Sequence, residues 1–435
     1  MKKELQFLIC LFAISCMAAT CKKQSSTTPG PPVDSTLVNM RHLDYLYTPF
    51  QFSTGSKAAG IYIYAEAPDY HLVADADEGF TCVDDVARAL QVYVRSKSFD
   101  SDTAIQNKAS NLTRFILEMQ SGNGYFYNFV FPNLSINTSG STSINMPNWW
   151  SWRALYALSE AAPKIRTKDA ALAGRMDLSI EKLVTRIKAD LVNIPKDPEI
   201  VSGIIVPKWL PAGSGTDQAA ILILGLIPYA TANNDAVVRS FIQKLADGIG
   251  LMQQGDDTHF PYSCILSWAN TWHAYGGDQA YALMKAGQFL GDPAYSAKGM
   301  AEVDNFYPWL LKNGMKSSFV VENNGSGIRL SSEKTYEQIA YGIRPMVTAA
   351  TEAYRITRQD KYADLAGHLA AWFLGANDAQ TNMYVQATGR GYDGIQSSTS
   401  INRNSGAEST IESLMAMQLV EEFPPIKSAL MKYKK

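Results

Sequence analysis

The chain has 435 residues, of which 46% are apolar and 18% charged, and its formal net charge is −2. This near-neutral balance, with no Lys/Arg run longer than two before the final KYKK, argues against a nucleic-acid partner. Beyond the amino terminus no segment approaches the 18 unbroken apolar residues of a membrane-spanning helix, so we expect the mature chain to be otherwise soluble.

The first 21 residues have the pattern of a secretion signal peptide. Two lysines precede an apolar stretch, residues 5–18, that is too short to cross a bilayer. Small residues then lead to Cys21 as in a relaxed bacterial lipobox, so we expect Cys21 to carry lipid; Cys16 is the weaker alternative. Residues 22–36 are polar and proline-rich, which is typical of a flexible tether. These features predict a cell-envelope lipoprotein, periplasmic or on the outer membrane or cell surface.

Cysteine and histidine usage favours neither a disulfide framework nor a metal site. Only Cys82 and Cys264 lie outside the signal peptide, which is too few for a disulfide framework. The five histidines lack metal-ligand spacing, and no glycine-rich phosphate loop follows a strand. We therefore expect no metal and no cofactor.

After a first helix, predicted over residues 37–47, a very apolar helix followed by an amphipathic one recurs six times. The apolar helices are predicted to begin about 60 to 70 residues apart, near Asp84, Trp150, Asp217, Asp278, Glu337 and Glu408. Such repetition without polar end caps favours a closed ring over an open solenoid. The predicted fold is all-α, a single (α/α)6 toroid over residues 37–435 with the apolar helices inside. Short strands are predicted only in its loops, at residues 60–64, 125–131 and 319–322.

A ring of parallel inner helices brings their amino-terminal ends to one face, where the residues at those ends would line one basin. In such a ring the helices that follow Cys82 and Cys264 lie opposite each other. A disulfide needs Cα atoms within about 7 Å. We therefore expect both thiols to be free.

Asp84 and Asp85 stand at the start of the first inner helix. A lone carboxylate there would be interpreted as a helix cap, because free N–H groups and the helix dipole favour negative charge. Only one residue of a pair can cap, and adjacent carboxylates are tolerated where chemistry needs one of them with a raised pKa. A catalytic role is therefore predicted for this pair, with capping as the alternative.

Two segments, CVDDVARAL (82–90) and NRNSGAESTIESL (402–414), resemble the six-hairpin, (α/α)6-toroid glycoside hydrolases, and in particular a bacterial group of glycosyl-hydrolase-like proteins. Related motifs occur in helical domains of bacterial glycosyltransferases. The resemblance covers about residues 40–425. Similarity to inverting cellulase-type toroids implies that Asp84 or Asp85 is the base and Glu408 the acid. The chain lacks the Asp-Ala-Gly-Asp form of that base motif, so the choice between the aspartates stays open.

Glycosidic cleavage needs a protonated and an ionised carboxyl group on either side of the bond. Ser405 is available to cap the last inner helix, which leaves Glu408 without a structural explanation. Arg403, and Arg88 if it points inward, would keep a carboxylate ionised. The residues predicted to bind carbohydrate are Trp149, Trp150, Trp152, Asp217, Trp272, His273, Tyr336, Glu337, Arg390 and Arg403.

Asp217 and Glu337 share a motif with Asp278, so a structural role is the leading alternative for these residues. The long loop at 377–404 is predicted to gate the mouth of the basin.

These expectations describe a lipid-anchored, monomeric enzyme that hydrolyses a poly- or oligosaccharide with inversion. One alternative is a polysaccharide lyase or sugar epimerase on the same toroid, which would use His273 or Tyr336 as its base. The other is a carbohydrate-binding lipoprotein in which no acid pair is positioned. The separation of the Asp84 or Asp85 carboxyl from that of Glu408 distinguishes these hypotheses.

Overall fold

The computed structural model describes residues 36–435. The predicted signal peptide, the lipidation site Cys21, its alternative Cys16 and residues 22–35 of the tether lie outside the described residues and remain predictions. Within residues 36–435, no helix combines the length and the apolar character that crossing a bilayer requires.

Six inner helices form a closed ring, and the predicted (α/α)6 toroid is confirmed. After a short helix α1 (Arg41–Leu46), the helices follow as inner and outer partners: α2 (Val83–Val94) with α3 (Thr103–Glu118), α4 (Trp149–Arg166) with α5 (Ala170–Asp190), α6 (Thr216–Asn233) with α7 (Ala236–Leu251), α8 (Gln279–Leu290) with α9 (Pro293–Ala301) and α10 (Tyr307–Asn313), α11 (Ala340–Thr357) with α12 (Asp360–Ala370), and α13 (Ala407–Glu422) with α14 (Pro424–Tyr433). Each inner helix packs against the next, and α13 packs against α2. Every inner helix begins within three residues of its predicted start.

The burial pattern explains which helices lie inside. In α6, all residues from 216 to 226 are buried, so the helix has no polar face in that segment. In α3, by contrast, the buried residues fall on one stripe between 109 and 116. Because each fully buried large apolar side chain contributes roughly 1.5–3 kcal/mol, the helix that is apolar all round is the one placed at the centre.

Neighbouring inner helices run in the same direction, as α2 and α4 show. Near their amino-terminal ends, Arg153 of α4 pairs with Asp84 of α2 at 3.0 Å. About two to three turns further along both helices, Arg95, just after α2, pairs with Glu160 of α4 at 2.6 Å. Contacts of start with start and of later turn with later turn require parallel helices, so the amino-terminal ends meet at one face of the ring.

Strands occur as short antiparallel pairs or, for β11–β13, as a three-stranded sheet in the connections of the described chain. They are β1 (Tyr47–Gln51), β2 (Lys57–Ile61), β3 (Tyr64–Glu66), β4 (His71–Val73), β5 (Thr81–Cys82), β6 (Phe129–Val130), β7 (Glu199–Val201), β8 (Ile204–Val206), β9 (Gln253–Gln254), β10 (Cys264–Ile265), β11 (Thr271–His273), β12 (Ser318–Asn323), β13 (Ile328–Lys334), β14 (Tyr384–Val385), β15 (Arg390–Gly391), β16 (Gly394–Ser397) and β17 (Ser400–Asn402). The predicted strand at 319–322 lies within β12. Of residues 125–131, only Phe129 and Val130 form a strand.

The first helix is shorter than predicted. It covers Arg41–Leu46, and Tyr47 already opens β1. The hydroxyl of Tyr384 donates to the carbonyl oxygen of Leu37 (2.9 Å) and accepts from the amide of Asn39 (3.0 Å). These backbone groups are therefore satisfied by a distant side chain instead of by a helical turn.

Both cysteines of the described chain are buried and free, as the ring order predicted. Cys82 ends β5 before the first inner helix, and Cys264 begins β10 before the fourth. Burial raises the pKa of each thiol well above its usual value, so both remain protonated.

Glu302 is a buried carboxyl group in the outer layer, where α9 passes through a π-helical turn into α10. Its side chain accepts a hydrogen bond from the amide of Ile265 at 2.8 Å, and no ion pair reaches it within residues 36–435. Burial raises the pKa of Glu302 to about 8, while the Ile265 hydrogen bond opposes that rise.

We expect Glu302→Gln to change how stability depends on pH. Because the folded pKa lies above that of the unfolded chain, about 4.3, the contribution of Glu302 is fully present at low pH and is lost as pH rises through about 8. The substituted glutamine side chain stays neutral, so the Tm of the variant should exceed that of the wild type by a margin that grows between about pH 5 and pH 8.5. Thermal melts followed by circular dichroism measure this margin. The exposed Glu199→Gln should show none, and a pH-independent margin would contradict the assignment.

Candidate active site

A cavity of about 520 Å³ lies where the amino-terminal ends of α2, α4, α11 and α13 meet. Its wall combines carboxyl groups, one arginine and aromatic rings. The lining residues are Ile63, Tyr64, Glu78, Cys82, Asp84, Asp85, Arg88, Asn128, Phe129, Thr142, Trp149, Trp150, Tyr275, Ile339, Ala340, Tyr341, Asp393, Gly406, Glu408 and Ser409.

Neither carboxylate of the Asp84–Asp85 pair caps α2. The cap is Cys82, whose sulfur accepts a hydrogen bond from the amide of Asp85 at 3.4 Å. The amide of Asp84 donates to Oδ1 of Asn128 at 3.2 Å. The capping alternative for this pair is therefore wrong, since other side chains satisfy the first-turn N–H groups of both residues.

The two aspartates differ in environment. Asp85 is buried and accepts from Arg88 Nη2 (2.7 Å) and from the Cys82 thiol (3.3 Å). Burial raises the pKa of Asp85, and the charge of Arg88 opposes that rise. The Asp84 side chain is 23% exposed and accepts from two guanidinium groups, Arg88 Nη2 at 2.7 Å and Arg153 Nε at 3.0 Å. Asp84 is thus the aspartate that combines access to the cavity with partners suited to a carboxylate.

Glu408 faces the cavity from the first turn of α13. That helix has no side-chain cap, because its N-cap residue is Gly406, and Ser405 instead bonds the hydroxyl of Thr410. The Glu408 side chain is 44% exposed, but the exposed area faces the cavity and protein surrounds it on the remaining sides. This enclosure raises the pKa of Glu408 to about 7, with the charge of Arg88 opposing and nearby carboxylates supporting the rise.

Arg88 joins the two predicted catalytic carboxyl groups. Its Nη2 lies 2.7 Å from Asp84 Oδ2 and 3.3 Å from Glu408 Oε2, so these oxygens are separated by at most the sum of the two distances, about 6.0 Å. Asp84 and Glu408, which are far apart in the chain, therefore face each other where α13 packs against α2. This approach is the one that ring closure predicts.

Beneath the cavity, Glu412 holds two arginines. Arg88 Nη1 donates to Glu412 Oε1 at 2.8 Å, and Arg344 Nε donates to Oε2 at 2.6 Å. Burial alone would raise the pKa of Glu412, but the charges of Arg344 and Arg88 lower it to about 2. Arg344 also pairs with Asp278 at 2.5 Å. This assigns to Asp278 the structural role that its repeated motif suggested.

Tyr341 closes the cavity floor between guanidinium groups. Arg88 and Arg153 each lie 5.0 Å from the centre of its ring, and Arg153 also hydrogen-bonds its hydroxyl. Burial raises the pKa of Tyr341, so its hydroxyl stays protonated.

Within residues 36–435, no group of three or more His, Cys, Asp and Glu side chains is arranged to hold a metal ion.

Two of the three tryptophans predicted to bind carbohydrate line the cavity. Trp150 is buried, and its indole N–H is committed to a backbone carbonyl at 2.7 Å. Trp152 lies in the core, donates to Gln218 at 3.1 Å and packs edge-on against Tyr125. Successive side chains on a helix diverge by about 100°, so the three rings point in different directions. Trp149, which is partly exposed at the cavity, is the ring available for stacking on a sugar.

Asp217 and His273 lie behind the cavity wall. His273 Nε2 is 3.1 Å from Asp217 Oδ2, and its ring stacks on Tyr275 at 3.7 Å. Tyr275 itself lines the cavity. These two predicted binding residues therefore support an aromatic ring of the wall instead of facing the cavity.

Three further predicted residues do not line the cavity. Trp272 is buried against the rings of Phe306 and Phe319, because side chains alternate along β11 and place it opposite His273. Tyr336 donates to Asp378 at 3.1 Å. Glu337 is exposed in the loop before α11, since that helix starts three residues later than predicted.

Arg390 and Arg403 also lie outside the cavity lining. They stack on tyrosine rings of the loop region, Arg390 on Tyr70 and Arg403 on Tyr392. Neither arginine pairs with a carboxylate in the described chain. The predicted pairing of Arg403 with a carboxylate is therefore wrong, and the arginine that contacts Glu408 is Arg88.

Arg153, Arg344, Glu412 and Tyr341 complete the site but were not among the predicted site residues. A signal for three of them exists in the sequence. Arg153, Arg344 and Glu412 each stand about one turn after the start of a helix that is predicted to be buried. A charged residue one turn into a buried helix needs a partner at the same depth.

No protein-family model matches the chain, and neither does any curated protein sequence. Solved structures do match. The cellobiose 2-epimerase from Spirochaeta thermophila DSM 6192 has a TM-score of 0.58 and 12% identity, over 90% of this chain and 94% of that one. A sugar epimerase from a ruminal bacterium has a TM-score of 0.57 and 12% identity, over 83% and 92%.

A family 76 glycoside hydrolase from a bovine Bacteroides thetaiotaomicron strain is also similar, with a TM-score of 0.54 and 11% identity over 90% of this chain and 79% of that one. At such identities the likeness shows the fold alone, an (α/α)6 toroid. These neighbours include both epimerases and hydrolases, so the fold does not distinguish between the two reactions.

Proposed function

We propose that this protein is a glycoside hydrolase in which Glu408 is the general acid and Asp84 the general base. The observation that carries this proposal is the pair of unlike carboxyl groups facing one cavity within about 6.0 Å. The pKa of Glu408 is raised to about 7, whereas Asp84 accepts hydrogen bonds from two guanidinium groups. Glycosidic cleavage requires one protonated and one ionised carboxyl group.

In the proposed reaction, Glu408 donates its proton to the glycosidic oxygen as the bond to the anomeric carbon breaks. Asp84 accepts a proton from a water molecule whose oxygen attacks the anomeric carbon. One water is consumed, and the products are a free alcohol and a reducing sugar. Arg88, which bonds both carboxyl groups, stabilises Glu408 as its charge develops. A later exchange with solvent restores both groups.

The stereochemical proposal is inversion. Inverting enzymes usually hold their carboxyl groups about 6.5–9.5 Å apart and retaining enzymes about 5–5.5 Å. The nearest oxygens of Asp84 and Glu408 are at most about 6.0 Å apart, which is shorter than the separation usual for inverting enzymes. Inversion is proposed because the resemblance to inverting cellulase-type toroids implies an aspartate base opposite Glu408. The Asp84 carboxylate, held by Arg88 and Arg153, would orient and deprotonate the attacking water.

Sugar epimerisation is the second candidate, since two of the structural neighbours are epimerases. That reaction needs a base beside the carbon that loses its proton, and the sequence offered His273 or Tyr336. Neither lines the cavity, and no histidine is among its lining residues. The described geometry therefore favours hydrolysis.

The location of the enzyme is also a proposal. The apolar segment and the small residues before Cys21 support export and lipidation. A carbohydrate substrate outside the cytoplasm is consistent with such an anchor.

The test is incubation of the purified protein with a panel of oligosaccharides, with products followed by nuclear magnetic resonance. We expect release of a reducing sugar of inverted anomeric configuration. Because Glu408 must carry a proton, kcat/KM should fall as pH rises above about 7. In deuterium oxide, epimerisation would instead introduce deuterium at carbon without releasing a sugar, and that result would replace hydrolysis with the second candidate. A retained configuration would overturn inversion alone.

A further inference from the structure

Four side chains form a continuous row beside the cavity, in the order Arg390, Tyr70, Tyr392, Arg403. The Arg390 guanidinium lies 3.7 Å from the centre of the Tyr70 ring, and the Arg403 guanidinium lies 5.5 Å from that of Tyr392. Tyr392 lies close to Tyr70, and burial, followed by the neighbouring Tyr392 hydroxyl, raises the pKa of Tyr70. We call this row the arginine–tyrosine patch. It places two fixed positive charges beside two tyrosine rings.

The patch carries uncompensated donors. Arg390 Nε is buried and has no hydrogen-bond partner, and neither arginine forms an ion pair with any carboxylate of residues 36–435. A guanidinium group without a carboxylate partner is stabilised by an anionic ligand, which would contact the exposed part of the arginine side chain. Arg403 is exposed and Arg390 and Tyr392 are partly exposed, so a ligand can reach the row.

The titratable neighbours do not supply the missing acceptor. His42 packs edge-on against Tyr70, and burial, aided by the Arg390 charge, lowers the pKa of His42. Asp69 pairs with His71 at 2.8 Å. Asp393 accepts from Ser409 and from the backbone of Gly406.

The patch adjoins the cavity wall. Tyr392 directly precedes Asp393, which lines the cavity, and Arg403 stands three residues before Gly406, which also lines it. Consecutive Cα atoms are about 3.8 Å apart, so the Arg403 and Gly406 Cα atoms are within about 11 Å of each other. A group bound here would therefore belong to a sugar unit near the one in the cavity.

We propose that the arginine–tyrosine patch is an anion subsite, and that the enzyme acts on a glycan carrying a carboxylate or sulfate group near the cleaved bond. Guanidinium groups bind both anions through paired N–H donors, while the tyrosine rings offer faces for a sugar. This inference rests on the proposed function for the nature of the substrate, but the binding itself does not require catalysis.

The test is isothermal titration of the full chain with three tetrasaccharides: tetragalacturonate, a sulfated carrageenan tetrasaccharide and neutral cellotetraose. Titrations use Glu408→Gln, so that turnover does not obscure binding. We expect at least one anionic sugar to bind more than about tenfold tighter than cellotetraose, with an affinity that falls as sodium chloride or sodium sulfate is added. Whichever anionic sugar binds tighter identifies the substituent as carboxylate or sulfate.

Arg403→Gln and Arg390→Gln, in the same background, should each weaken binding of the anionic sugar about tenfold, because each removes a charge-assisted hydrogen bond. Arg403 is exposed, so its replacement should leave folding intact. Arg166→Gln is the matched control, since it removes an equal charge at the far end of α4 and should change nothing. Equal affinities for charged and neutral sugars, absence of any binding, or anionic binding that survives both substitutions would overturn the subsite. If the protein hydrolyses a glycoside but does not prefer anionic sugars, the anion subsite is overturned and the proposed hydrolase function is not.

Discussion

Replacing Glu408 with glutamine is expected to lower turnover of natural glycosides by about 10²- to 10⁴-fold, the usual contribution of a positioned proton donor. The melting temperature should stay nearly unchanged. Glu408 does not cap α13, and burial, followed by nearby carboxyl groups, raises its pKa, so little stabilisation is lost with its charge. Steady-state kinetics and thermal melts on one preparation separate the two effects.

Leaving-group dependence distinguishes the acid from the base. A 2,4-dinitrophenyl glycoside needs no protonation of its leaving group, so Glu408→Gln should hydrolyse it at nearly the wild-type rate. Asp84→Asn should be impaired on this substrate as well, because attack still requires an activated water. Glu422→Gln, at the exposed end of the same helix, is the matched control. Full activity of Glu408→Gln on natural glycosides would falsify the assignment, and equal impairment of Glu408→Gln on both substrate classes would contradict its role as acid.

Replacing Glu412 with glutamine is expected to have the largest effect on stability, a loss of about 3–5 kcal/mol in the free energy of unfolding. The side chain of Glu412 is fully buried between Arg88 and Arg344, and removing its charge leaves two guanidinium groups partly unpaired. Denaturant unfolding measures the loss. Glu422→Gln again serves as the control and should cost well under about 1 kcal/mol, as exposed ion pairs do.

The stabilisation that Glu412 contributes should depend on pH. The folded pKa of Glu412, about 2, lies below the value of about 4.3 in the unfolded chain. Its stabilising contribution is therefore present above about pH 4.3 and is lost as pH falls through about 2. The difference between wild type and Glu412→Gln should shrink over that interval. A difference that is constant with pH would indicate lost packing instead of lost charge pairing.

Glu412 also affects the proposed acid. Its negative charge helps to raise the pKa of Glu408, although burial is the larger cause. In Glu412→Gln molecules that remain folded, the alkaline limb of kcat/KM should therefore move to lower pH. A merely structural role for Glu412 would leave that limb in place.

The ring of inner helices could be predicted from the sequence because it follows from a local pattern, the apolar helix, that repeats at even spacing. A helix that is apolar on every side can be stable only if it is surrounded, and six such helices at even spacing imply a closed inner layer. The same logic placed Asp84, Asp85 and Glu408 at one mouth, since parallel helices share one face for their amino-terminal ends. These inferences needed only residue type and spacing.

The directions in which side chains point could not be predicted from the sequence in the same way. Trp272 and His273 are adjacent, yet one packs against Phe306 and the other stacks behind the cavity wall on Tyr275. Glu337 was predicted at a helix start, but α11 begins at Ala340 and leaves Glu337 exposed. A shift of a few residues changes which side of a strand or helix faces the cavity, and the periodic pattern does not resolve so small a shift.

The sequence by itself therefore determined the toroid and the carboxyl groups at its mouth. Only the tertiary structure decided how those groups are charged. Arg88, Arg153 and Arg344 come from three different helices, and the ring places them against carboxyl groups from other parts of the chain. The pKa of a carboxyl group depends on distances of a few ångströms to such charges and on enclosure by protein, and neither quantity is encoded in the order of residues along one helix.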